Sequence, residues 1–189
     1  MKKQYILGLI LLCGGLFSCS SGVKNQADFD VIPLPQEVQT ASAGDFVLSN
    51  NTVIAYPKGN DAMKRNAEFL AEYIKEQTGK NVQLTDEIPS SGAIVLSLGL
   101  DNANKEAYHL EVTKQQITIT GATEAGVFYG IQTLRKTMPV AEGDVLFPST
   151  VVNDYPRFSY RGVHLDVSRH FFPADSIKRF IDMLALHNI

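Results

Sequence analysis

Thiols are almost absent. The 189-residue chain carries two cysteines, Cys13 and Cys19, both close to its start; if the leader described below is removed and Cys19 is modified, no thiol remains for a disulfide, and stability must come from packing. An excess of positive charge is also missing. Lys and Arg number 17 against 20 Asp and Glu, for a net charge of −3, so no basic surface for nucleic acid is expected. The four histidines, at 109, 164, 170 and 187, never show the i, i+4 spacing of a helical metal site, and neither a metal nor a cofactor is expected. Internal repeats and low-complexity stretches are absent. What remains is a soluble composition long enough for one domain with a core and a little more.

The N-terminus has a different character. Lys2 and Lys3 precede an apolar run from Tyr5 to Leu12, then Gly14, Gly15, Leu16, Phe17, Ser18 and Cys19, which reads as an export signal over 1–18. Leu16 three before a cysteine and the small Ser18 just before it resemble a bacterial lipoprotein cleavage box, with a bulkier Phe17 than usual. The competing box at Cys13 fails because Leu12 is not small. Cys19 is therefore the candidate lipidation site, and the expected location is the periplasm, the outer membrane or the cell surface, with the acyl chain in the membrane. An uncleaved transmembrane anchor is the weaker reading, because the run is short and interrupted by two glycines. Loss of 1–18 removes Lys2 and Lys3 and no acid, taking the net charge from −3 to −5. Residues 19–30 read as a tether.

Beyond the tether, Val31 to Pro35 is extended, since proline disfavours helix in the residue before it. Phe46 to Leu48 and Thr52 to Tyr56 read as short strands around the Asn50-Asn51 turn, making a hairpin. Asn60 or Asp61 caps a helix that buries Met63, Ala67, Leu70 and Ile74, and Gly79 closes it. Val82 to Leu84 reads as a strand, and the apolar run Ala93 to Leu98 suits the inside of a sheet. Tyr108 to Thr113 and Gln116 to Thr120 alternate on either side of Lys114-Gln115 as a hairpin. Thr123 then caps a second helix with Val127, Phe128, Ile131 and Leu134. Its Gly126 and Gly130 each cost roughly 1 kcal/mol against alanine, so a close approach of helix to sheet is their expected reason. The order predicts an α+β sandwich over 31–138, a mixed or antiparallel sheet with two helices. Residues 139–154, with a short strand at Val145 to Phe147, read as a connector.

The last 35 residues, Tyr155 to Ile189, carry the function-grade signal. Arg161 to Val167 alternates as a strand, charged and aromatic residues follow, and Pro173 suits the first turn of a helix. Ile177, Phe180, Ile181 and Leu184 then recur at helical spacing. This is a β-loop-α unit. Arg157-Phe158, Arg161-Gly162, the run Leu165 to Pro173 and the following Ile181 to Ala185 resemble the opening of the catalytic barrel of glycoside hydrolase family 20, the β-N-acetylhexosaminidases. The run Gly121 to Leu134 resembles the end of the non-catalytic domain that precedes that barrel.

The resemblance implies the first β-α unit of a (β/α)8 TIM barrel over 155–189, against roughly 250 residues for a complete one. It implies retaining hydrolysis of terminal GlcNAc or GalNAc from β-linked glycans, in which the substrate's own acetamido oxygen attacks the anomeric carbon, an Asp orients that amide and an adjacent Glu is the general acid. The one adjacent pair here, Asp86-Glu87, precedes the barrel and sits in a loop. The catalytic pair is expected beyond Ile189, and these residues by themselves are expected to be inactive. The tryptophans that wall the family's sugar pocket are also missing from this chain. Arg161 is the implied sugar-binding residue, since a guanidinium fork can engage two adjacent oxygens; the alternative is a structural arginine paired with a carboxylate. Asp166, Arg169 and His170 stand where the strand meets its loop, either shaping the pocket or, for Asp166 and Arg169, pairing to fix the loop. Two rival readings stay open: a short non-catalytic lipoprotein that binds glycan or protein, and a glycosidase of another family sharing the front domain. Arg161-Gly162 and the run 165–173 speak against the second.

Overall fold

A computed structural model describes residues 25–189. The export signal, its cleavage box and Cys19 lie outside the described residues. In chain order the elements are β1 (Asn25–Gln26), β2 (Glu37–Thr40), β3 (Phe46–Leu48), β4 (Val53–Ala55), α1 (Asp61–Thr78), β5 (Gln83–Thr85), β6 (Ala93–Leu98), β7 (Tyr108–Val112), β8 (Gln116–Gly121), α2 (Glu124–Thr137), β9 (Val145–Phe147), β10 (Thr150–Asp154) and α3 (Ala174–Leu186). Seven strands form a mixed sheet in the order β2-β10-β7-β8-β6-β4-β5. Its β8-β6-β4-β5 side is parallel and its β2-β10-β7-β8 side is antiparallel. A second, small sheet runs β1-β9-β3.

Helices α1 and α2 lie on one face of the large sheet because each has one apolar stripe to bury. Asn60 starts α1, its side-chain oxygen accepting from the Met63 N–H at 3.0 Å, and Gly79 ends it in the left-handed region at φ 72°. Between those caps Met63, Ala67, Leu70 and Ile74 are fully buried, against sheet residues that include Ile54, Ile94, Leu96, Leu110, Ile117 and Ile119. Each large apolar side chain buried this way contributes roughly 1.5–3 kcal/mol. The glycines of α2 do what their cost suggested. A Cβ on Gly126 would overlap the Ala107 carbonyl oxygen, and one on Gly130 would press on the Ile119 methyl and the Tyr108 ring. Thr123 precedes α2 but does not cap it with its side chain; its hydroxyl donates to the Lys105 carbonyl at 2.6 Å instead.

Four expectations about the chain path are corrected. Residues 25–30, expected within the tether, are docked on the domain: β1 pairs with β9, and Ala27 and Phe29 are buried in the core. Phe46–Leu48 and Val53–Ala55 are strands but not a hairpin: β3 pairs with β9 in the small sheet, while β4 pairs with β5 and β6 in the large one. The Asn50-Asn51 turn passes the chain between sheets, because the apolar faces of the two strands find better partners far away in sequence. The stretch 139–154 carries two strands paired into the sheets. β10 lies between β2 and β7 with Val152 fully buried. The alternating stretch 161–167 belongs to no sheet. A strand persists where neighbours take up its N–H and C=O groups, and no described strand lies beside this one. The helix after it does form, with Pro173 as its N-cap, yet α3 contains no fully buried residue. Its Ile181 is 56% exposed, and before it Tyr160 is 88% exposed. No helix among the described residues is long and apolar enough to cross a membrane.

Candidate functional site

The front domain and the back segment meet at Arg161. Its Nε donates to the Asn188 carbonyl at 2.7 Å and its Nη1 to the Phe158 carbonyl at 2.7 Å. Its Nη2 donates to the Tyr129 hydroxyl at 3.2 Å and lies 2.9 Å from a Glu106 carboxylate oxygen. The guanidinium carbon stands 5.5 Å from the centre of the Tyr129 ring, within cation–π range. Tyr129 projects from α2, and Glu106 comes from the loop before β7. That loop is itself pinned: Asn104 accepts from the Glu106 N–H at 2.9 Å and donates to the Pro156 carbonyl at 3.4 Å.

A cleft of about 280 Å³ opens beside this junction, lined by Glu106, Tyr129, Asp154, Tyr155, Phe158 and Arg161 among others. Aromatic walls with a few convergent charges are the usual make-up of a ligand site. Asp154 is held in it by several donors, accepting from the Gln36 N–H at 3.1 Å and the Tyr108 hydroxyl at 3.0 Å. Burial pushes its carboxyl above the ordinary value, with those hydrogen bonds pulling it partly back. Tyr108 is pushed well up, first by burial and then by the Asp154 charge. Behind them burial lowers the Lys136 amine to about 8, the Asp154 charge opposing the shift. Neither carboxyl of the cleft is free: Glu106 is paired with Arg161 and Asp154 is hydrogen-bonded. As it stands the cleft can bind and orient a small polar ring more readily than transfer a proton to it.

Asp166 and Arg169 are brought together, Nε to Oδ2 at 2.7 Å. The other Asp166 oxygen accepts from the N–H groups of Ser168 at 2.9 Å and Arg169 at 3.1 Å, and these backbone donors hold its carboxyl below the ordinary value. His170 is exposed. None of Asp166, Arg169 and His170 lines the cleft that Arg161 lines. Asp86 and Glu87 are exposed, with Asp86 3.4 Å from Lys58. Among the described residues no three His, Cys, Asp or Glu side chains converge to hold a metal ion. The residues that sequence reading missed are Glu106, Tyr129 and the Tyr108–Asp154 pair. Tyr129 sits inside the noted run 121–134, whereas Glu106 is one acid in a polar loop and gave no signal.

Comparison with known proteins places both parts of the chain. The profile of "Glycosyl hydrolase family 20, domain 2" matches residues 28–155 and that of "Glycosyl hydrolase family 20, catalytic domain" matches 158–189. A β-hexosaminidase of Porphyromonas gingivalis is 32% identical over 99% of this chain and 26% of its own length. A β-N-acetylhexosaminidase of Cellulomonas fimi is 30% identical over 86% of this chain and 33% of its own. The solved structure of the GH20 β-N-acetylhexosaminidase from Streptomyces coelicolor A3(2) superposes with a TM-score of 0.77 at 33% identity, over 85% of this chain and 33% of that one. A mutant Streptomyces plicatus β-hexosaminidase, solved in complex with its product GlcNAc, gives 0.77 at 31%, over 87% and 34%. The chain thus spans about a quarter to a third of the length of these relatives. From the sheet-and-helix front to the Arg161 junction, it belongs to glycoside hydrolase family 20.

Proposed function

We propose that these residues are the front of an exported, lipid-anchored exo-β-N-acetylhexosaminidase that releases terminal GlcNAc or GalNAc from β-linked glycans with retention. The observation that carries the reading is the catalytic-domain match starting at residue 158, directly after the front-domain match. Arg161-Gly162 and the run 165–173 lie inside it. In this reading residues 155–189 supply the first β-α unit of the TIM barrel, and strand 161–167 gains its ladder from barrel strands that follow. The substrate's acetamido oxygen attacks the anomeric carbon as an adjacent downstream Glu protonates the departing glycosidic oxygen. A neighbouring Asp orients the amide, and water then opens the cyclic intermediate from the face the leaving group left, so configuration is retained. Arg161 holds hydroxyls of the terminal sugar, while Asp166 and Arg169 fix the loop beside it and His170 borders the pocket. Cys19 carries the anchor.

The test is direct. Sequencing past the codon for Ile189 should show an open frame encoding an adjacent Asp-Glu pair, and the complete product should cleave an aryl N-acetyl-β-glucosaminide. The 189 residues alone should not. Turnover by the 189 residues that is abolished by Glu87→Gln would sink the assignment, as would an immediate stop codon.

A further inference from the structure

The guanidinium of Arg161 is engaged before any ligand arrives. A guanidinium offers five N–H donors in a fixed planar fork. Asn188, Phe158 and Tyr129 accept from three of them, and Glu106 faces Nη2 from 2.9 Å. One hydrogen, on Nη1, is left over. A grip on two adjacent sugar oxygens needs two donors, so a sugar at Arg161 has to displace something.

The four partners are not equivalent. Phe158 and Asn188 belong to the same back segment as Arg161 and offer main-chain carbonyls. Glu106 and Tyr129 belong to the front domain, and both act on the same nitrogen, Nη2. The Arg161 and Glu106 side chains are only 20% and 31% exposed, so this pair is screened less than a surface ion pair. The loop that holds Glu106 is fixed through Asn104 to Pro156, so the carboxylate is in place without rearrangement.

We propose that Glu106 and Tyr129 form a latch that competes with the sugar for Arg161. The proposal rests on the sugar-holding reading of Arg161 given above. While Nη2 is latched to the front domain the arginine cannot make its two-oxygen grip, and the apparent affinity for the sugar falls by the fraction of molecules that are unlatched. By linkage, a bound sugar loosens the hold of the front domain on the start of the barrel by the same factor. The domain without catalytic groups then sets how tightly the catalytic part takes its substrate.

The experiment uses the complete enzyme and an aryl N-acetyl-β-glucosaminide. Glu106→Ala removes the stronger competitor and should lower KM about two- to fivefold, the range of a partly exposed ion pair. Tyr129→Phe removes one hydroxyl and should lower KM by a smaller factor. The same Glu106→Ala change in the 189-residue chain should lower its melting temperature, since the latch also ties the two parts together. A lower KM, which is tighter sugar binding, together with a lower melting temperature is the signature. A KM that is unchanged or higher in the variants overturns the latch, because a positioning role predicts a rise. Should Glu106→Ala fail to fold, Tyr129→Phe decides alone. If Arg161→Lys leaves KM unchanged, the sugar-holding reading fails instead, and the two failures are told apart.

Discussion

The Tyr108 hydroxyl donates to the Asp154 carboxylate at 3.0 Å, across the last register pair of β7 and β10. The same oxygen lies 2.7 Å from the Thr133 hydroxyl of α2, so one phenol joins two strands and a helix. Tyr108→Phe keeps the ring and leaves Thr133 and Asp154 each short of a partner. Leaving a buried polar group unsatisfied costs about 1–3 kcal/mol, and the urea midpoint should drop accordingly. An unchanged midpoint would show that the hydroxyl contributes nothing.

Lys136 makes a pH-dependent contribution. Burial lowers its amine to about 8 from the ordinary 10.5, and its Nζ is buried with no hydrogen-bond partner among the described residues. Between those values the unfolded chain binds more protons than the folded one, so stability rises with pH across the window. The penalty is fully present below pH 8 and relieved as the amine loses its proton. Lys136→Met should therefore be more stable than the parent at pH 7, with the gap narrowing by pH 10. Urea unfolding at several pH values checks this, and a gap that widens with pH contradicts it.

Gly126 and Gly130 should differ in their tolerance of alanine. At Gly126 the added carbon meets the Ala107 carbonyl oxygen, which is backbone, whereas at Gly130 it meets a methyl and a ring that can shift. Alanine returns roughly 1 kcal/mol of helix propensity at either site. Overpacking costs about 1–3 kcal/mol where side chains can adjust and more where they cannot. Gly126→Ala should lower the melting temperature far more than Gly130→Ala, and equal effects would refute the contact argument.

Asp166 organises the turn at 166–169 through backbone donors. Asp166→Ala should speed amide exchange at Ser168 and Arg169, while Asp166→Asn keeps an acceptor and should do so less. Because the carboxyl is held below its ordinary value, its contribution is present at neutral pH and lost as pH falls through that lowered value. Exchange rates that match the parent in both variants would remove its role.

What was legible in the sequence is what is decided locally. Asn60 and Gly79 bracket α1 because a cap is satisfied within a turn of itself. The hairpin of β7 and β8 is carried by a two-residue turn, and the run at 93–98 could only be an interior strand. Choices made over long distances were hidden. Nothing near Asn50 says that Phe46 and Leu48 face β9, a hundred residues on, rather than β4. At the junction, Arg161 was visible from its motif, but its partner Glu106 is one acid in a polar loop, identified only once the loop is folded against α2. The alternation at 161–167 reports a backbone suited to a ladder and says nothing of whether a neighbour is present to complete it.

The place of β10 has a consequence for the order of events during synthesis. Thr40 of β2 and Thr150 of β10 are register partners, so β2 has no mate until the chain has grown by another hundred or so residues. At roughly 5–20 residues per second, that wait is on the order of 5–20 s. In its last part, once β7 and β8 are made, the β7 edge is also open until β10 covers it, a row of unpaired backbone groups able to recruit another chain. Ribosomes stalled between residues 121 and 150 should accumulate nascent chains that self-associate, and those that have released residue 154 should not.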